Sequence, residues 1–84
     1  MKNKILIKLY VPFIDEVYEI FIPTNESVKK VVDLIVKSVY ELSDERLNLD
    51  IKYHIIDPDT SDIYQESIII RDSNIVNGKK IVLV

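Results

Sequence analysis

Apolar side chains along this chain change their spacing twice. Up to Pro23 they recur at every second residue, between Ser27 and Leu42 at every third or fourth, and beyond Ser43 at every second again. A period of two sets one face of a strand against a core, and a period near 3.6 sets one stripe of a helix there. A chain that switches once in each direction has one helix to lay against its strands. Its 84 residues hold one core, so residues 1–84 are read as a single domain in which the helix covers one face of one sheet.

Ile5, Ile7 and Leu9 alternate with Leu6, Lys8 and Tyr10, giving a strand with one strongly apolar face. Pro12 removes a backbone donor and breaks it. Tyr18, Ile20 and Ile22 then alternate with Val17, Glu19 and Phe21, a second strand expected to lie antiparallel to the first. Neither Asn-Gly nor Asp-Gly occupies the connection, so its turn type stays open. Ser27 is the expected helix N-cap, with Asn25 the alternative. Val28, Val31, Val32, Ile35, Val39 and Leu42 form the predicted buried stripe, and Lys29, Lys30, Asp33, Lys37 and Glu41 the outer face. Asp33 with Lys37, and Lys37 with Glu41, are spaced to pair. A third strand is predicted over Ile51–Ile56 and a turn over Asp57–Asp62. Ile63-Tyr64 is an extended piece that can pair back on the third strand. A short apolar run from Ser67 to Ile70, a turn at Asn77-Gly78 and a final strand over Lys79–Val84 follow.

The composition agrees with a sheet-dominated chain. There are 15 Ile, 10 Val and 7 Leu but no Ala, and stiff β-branched side chains suit a pleated surface while alanine is the best helix former. The expected class is α+β, a mixed sheet of four to five strands with one α-helix packed on one face, in the element order of a β-grasp.

Several functions fall away on residue types alone. With no Cys the chain offers no thiolate chemistry, and with one His neither a multi-histidine metal site nor a catalytic triad is expected within one chain. No catalytic residue, metal or cofactor is assigned, and no enzyme activity is expected. Asp57, Asp59, Ser61 and Asp62 invite a calcium-loop reading. Such a loop needs Gly at its sixth position and Glu at its twelfth, and Asp62 and Ile68 stand there, so a plain turn is expected. The net charge is −3 and Lys and Arg form no stripe, which argues against nucleic acid as a partner. No apolar run approaches the ~20 residues of a membrane span, and Met1 to Lys4 lead into a strand rather than a signal peptide, so no membrane insertion and a cytoplasmic location are expected.

Asp72-Ser73-Asn74-Ile75 followed by a short turn and Lys79-Lys80-Ile81-Val82-Leu83-Val84 resembles the last loop and strand of ubiquitin. Pro23 to Ile35, capped at Ser27, is similar to the start of its helix, and Ile5-Leu6-Ile7-Lys8 fits its first strand. Ubiquitin-type modifiers and sulfur carriers act through a flexible tail ending in Gly-Gly. This sequence stops at Val84 and its one glycine is Gly78. Conjugation and sulfur transfer are therefore not expected, and a longer chain ending in Gly-Gly would restore them. Lys8-Leu9-Tyr10-Val11-Pro12, Phe21-Ile22-Pro23 and the Asn77-Gly78 turn are similar to the small bacterial YukD/EsaB-like family associated with type VII secretion. That resemblance implies a cytoplasmic accessory protein acting by contact with a partner.

The candidate contact surface follows from strand alternation. With Ile5, Ile7, Tyr18, Ile20, Ile51, Tyr53, Ile81 and Leu83 facing the helix, the other face shows Leu6, Tyr10, Val17, Phe21, His54, Ile56, Val82 and Val84. No second helix is available to cover it. Leu6, Tyr10, Phe21, His54, Val82 and Val84 are taken as candidate protein-binding residues; the competing reading is ordinary exposed apolar surface. In ubiquitin-like domains this face is the usual docking surface. The resemblance puts Lys52 or His54 where ubiquitin's patch has its central apolar residue, which implies a partner other than one that reads ubiquitin. His54 alone reads as an exposed strand residue or an interface residue. Phe13 and Ile14 are expected to fold back over the core edge, the alternative being an extension of the docking surface. A homodimer, through unpaired strand edges or the apolar face, is the rival to a heterologous partner.

Overall fold

A computed structural model describes residues 3–84. Strands β1 (Lys4–Val11), β2 (Glu16–Pro23), β3 (Ile55–Ile56) and β4 (Lys80–Leu83) and one helix, α1 (Val28–Leu42), make up the fold. The sheet order is β2-β1-β4-β3. β1 runs antiparallel to β2 and parallel to β4, and β3 is antiparallel to β4. The mixed sheet with a helix across one face is the α+β arrangement expected from the spacing of apolar residues.

β1 buries Ile7, Leu9 and Val11 completely and leaves Lys8 and Tyr10 exposed, as its alternation requires. The connection to β2 is a 3-10 turn, Pro12–Ile14, closed by Asp15 in the left-handed region (φ 51°) with its N–H donating to the Pro12 carbonyl. Pro supplies the fixed φ of the first position, and Asp tolerates the left-handed one. Ile14 packs against the core. Phe13 leans its ring edge-on against Tyr53, with centroids 5.9 Å apart. Ile14 thus folds back over the core edge as expected, whereas Phe13 departs from that expectation and is 64% exposed, because only its edge contact with Tyr53 covers it.

Ser27 is the N-cap, its Oγ accepting from the Lys30 N–H at 3.2 Å. Val28, Val31, Ile35 and Val39 are buried. Two stripe positions depart from the expectation. Val32 is half-buried, and Leu42 is 61% exposed. Asp44 and Glu45 both take left-handed conformations, and the Glu45 N–H returns to the Tyr40 carbonyl. The chain therefore folds back before Leu42 can meet the sheet, and Leu47 fills the core in its place. The spaced charges on the outer face form no ion pair with one another among the described residues.

The third strand is shorter than Ile51–Ile56. Asp50 N–H bonds to the Asn48 side chain and the Tyr53 hydroxyl donates to the Asn48 carbonyl at 2.6 Å, so the chain curls before it reaches the ladder. His54 and Val84 exchange two backbone hydrogen bonds, which extends the β3–β4 pairing by one position. Ile63 bridges Ile56, and Tyr64 N–H donates to the Ile55 carbonyl, confirming the extended piece that pairs back. Ile69 bridges Ser27 at the start of the helix, and Ile70 is fully buried.

The Asn77-Gly78 turn does more than reverse the chain. Gly78 has φ 85°, where a side chain would be strained. Its N–H donates to the Leu6 carbonyl at 2.7 Å, and the Asn77 carboxamide oxygen accepts from the Leu6 N–H at 2.9 Å. The turn is docked on β1 and sets the parallel register of β4.

Candidate interaction surface

The face of the sheet opposite α1 carries no covering segment among the described residues. Its layout follows from the register. Val17 stands opposite Tyr10, Tyr10 beside Val82, and Val82 opposite Ile56. These four form an apolar row across all four strands. Val84 and His54, paired through their backbones, lie two residues further along β4 and the third strand. Val17 is 64% exposed, Tyr10 and Val84 are exposed, and Val82, Ile56 and His54 are half-buried.

A second row crosses below the first. Glu19 stands opposite Lys8, and Lys8 beside Lys80, all exposed. Beyond it lies a separate apolar pair, half-buried Leu6 opposite Phe21, which is 57% exposed. The structure therefore brings Tyr10, His54, Val82 and Val84 into one band and places Leu6 and Phe21 across a charged row from them. That division was not visible in the sequence, because it depends on which residue of β4 lies beside Lys8.

The Tyr10 hydroxyl donates to an Asp15 carboxylate oxygen at 3.0 Å. The Asp15 acceptor, with its charge, holds the phenol above its ordinary pKa, so the band presents a neutral, oriented ring. Ile51 was expected on the helix side of the sheet; it lies there, lining a groove beside α1, but is 40% exposed because the curled segment stands off the helix.

Among the described residues no group of three His, Cys, Asp or Glu side chains is placed to hold a metal ion. The Asp57–Asp62 segment is a turn. Its Asp57 carboxylate is buried and accepts from the Asn74 amide, the Lys79 ammonium and the Asp59 N–H. Sequence reasoning missed this cluster, whose members lie up to 22 residues apart. No described helix is long and apolar enough to cross a membrane. What the sheet face offers chemically is contact area: aliphatic side chains, one oriented phenol, and a lysine-bearing row beside them.

No family model and no curated protein sequence matches the chain. Solved structures do match its fold. The ubiquitin-like domain of the Mycobacterium tuberculosis type VII secretion system protein ECCD1 has a TM-score of 0.76 at 12% identity, over 96% of this chain and 97% of that one. A ubiquitin-like protein from Trypanosoma brucei has a TM-score of 0.70 at 17% identity, over 100% and 96%. A chain of the toluene 4-monooxygenase HD complex with the inhibitor 4-bromobenzoate has a TM-score of 0.76 at 12% identity, over 95% of each.

Proposed function

We propose that this chain, which has the ubiquitin-like β-grasp fold, is a protein-interaction module of the cytoplasm that acts by contact, without a catalytic step of its own, as an accessory of a type VII-like secretion system. The observation that carries the reading is the apolar row Val17–Tyr10–Val82–Ile56, which crosses the whole sheet on the face that α1 leaves open. Contiguous apolar surface with a charged border is the usual form of a protein contact site. The secretion reading is supported by the resemblance of Lys8–Pro12, Phe21–Pro23 and Asn77-Gly78 to the YukD/EsaB-like family and by the likeness to the ECCD1 domain.

The test is affinity capture with the full chain from cells that encode it. The expected result is recovery of a subunit of a type VII secretion apparatus. Val17→Asp, at an exposed position, is expected to lose that subunit while keeping its circular dichroism spectrum. Recovery of the same subunit by the variant would show that the row is not the contact, and capture of no secretion component would remove the assignment to that machinery.

A further inference from the structure

A second surface lies on the other side of the sheet, at the edge beyond β3. A groove of about 300 Å³ runs between α1 and the segment 49–55. One wall is a file of helix residues one turn apart, Val32, Val36 and Tyr40, none of them fully buried. The facing wall carries Leu49, Ile51 and Tyr53, with Lys52 and His54 of the same segment at its border. Leu49 is 53% exposed and Ile51 is 40% exposed, so apolar surface reaches the lip of the groove and stops there uncovered.

The backbone beside the groove is also open. His54 and Val84 exchange both hydrogen bonds, and the alternation of an antiparallel ladder turns the N–H and C=O of residues 53 and 55 to the opposite edge. At Ile55 the carbonyl on that edge accepts from Tyr64. At Tyr53 neither group has a hydrogen-bond partner among the described residues. The sheet ends there with one position able to accept another strand.

The lip carries charge of one excess sign. Lys29, Asp33 and Lys37 follow one another at four-residue spacing along α1, and Lys52 pairs with Glu66 at 2.9 Å on the other side. Three lysines against two carboxylates leave a basic border in a chain of net charge −3.

We propose that this groove binds an extended segment of another protein, apolar at alternate positions and acidic at its flanks, whose backbone adds to the sheet edge at Tyr53. Alternate side chains of such a segment enter between Val36 and Ile51, its N–H and C=O meet those of Tyr53, and its flanking carboxylates lie against Lys29 and Lys37. The site lies across the sheet from the Val17–Tyr10–Val82–Ile56 row, and His54 borders both surfaces.

The experiment uses the isotope-labelled full chain titrated with the synthetic peptide Asp-Glu-Ile-Thr-Val-Thr-Ile-Glu, followed by amide NMR shifts. The expected shifts cluster at Leu49–Ile55 and along Val28–Tyr40, with a dissociation constant of about 1 mM or tighter. Ile51→Asp is expected to weaken binding about tenfold. Lys37→Glu, on the helix surface, is expected to weaken it less and to favour a matched peptide with Lys in place of its acidic residues. Val17→Asp, on the open sheet face, is expected to bind as the parent does. The proposal is overturned by no binding at that concentration, by equal binding of acidic and basic peptides, or by shifts confined to the open sheet face or the β2 edge. Groove shifts that grow with protein concentration in the absence of peptide also overturn it, by assigning the surface to a second copy of the chain.

Discussion

Lys79 places its ammonium nitrogen 3.1 Å from a carboxylate oxygen of Asp57, with both side chains almost withdrawn from solvent. The pair joins the turn after β3 to the turn before β4, two loops 22 residues apart in the chain. Asn74 donates to the other Asp57 oxygen at 2.9 Å, and the Tyr64 hydroxyl donates to Asn74 at 2.6 Å. With the Asp59 N–H, the buried carboxylate receives three donors, which is the condition under which burying a charge is tolerated.

Acid should loosen this junction. The Asn74 hydrogen bond, followed by those of the Asp59 N–H and Lys79, holds Asp57 at about 2, against an ordinary 3.8. A pKa lowered by folding contributes stability that is complete above the unfolded value and is lost as pH falls toward the folded one. Urea midpoints are expected to drop between about pH 4 and pH 2, and to drop less steeply in Asp57→Asn. Equal slopes for the two proteins would remove Asp57 from the acid response.

Alkali acts on the neighbouring phenol with the opposite sign. Burial, and then the charge of Asp57, push the Tyr64 hydroxyl up to about 12. Folding here favours the neutral form, so its contribution is whole below about pH 10 and is lost as pH rises toward 12. In ultraviolet titration one of the five tyrosines is expected to ionise later than the rest, and Tyr64→Phe should delete that late step.

Gly78→Ala is expected to cost about 1–2 kcal/mol in urea unfolding, the usual penalty for a side chain in a left-handed position. The space around the glycine is empty, so the cost is conformational and not steric. Gly78→Asn, a residue that tolerates this region, should recover part of it.

The exchange of Leu42 for Leu47 in the core is checked by paired substitutions. Leu47→Ala removes a buried side chain and is expected to cost about 2–5 kcal/mol. Leu42→Ser lies on the surface and should change stability by no more than about 0.5 kcal/mol.

β1, β2 and the helix start were legible because local signals agree there: strict alternation, a proline at each strand end, and a capping serine before a helical stripe. Leu42 was misplaced because periodicity says which side a residue faces and not where the sheet beneath it stops. The third strand was overextended for a related reason. Leu49, Ile51, Tyr53 and Ile55 all line the groove, yet hydrogen bonds to Asn48 pull the first of them out of the ladder. The candidate face was legible residue by residue but not as a layout, since the charged row of Glu19, Lys8 and Lys80 exists only once β4 is in register with β1. The groove edge at Tyr53 was invisible, because an unpaired backbone group has no sequence signature.

The pairing of β1 with β4 has a consequence for synthesis. These two strands sit side by side at the centre of the sheet, yet of the four strands β1 is made first and β4 last. A nascent chain can make the first hairpin and the helix early, but its middle seam stays unzipped until Leu83 emerges. Such distant contacts slow folding relative to a helical chain of equal size. The isoleucine-rich first hairpin must therefore wait, with one edge bare, until β4 has been made.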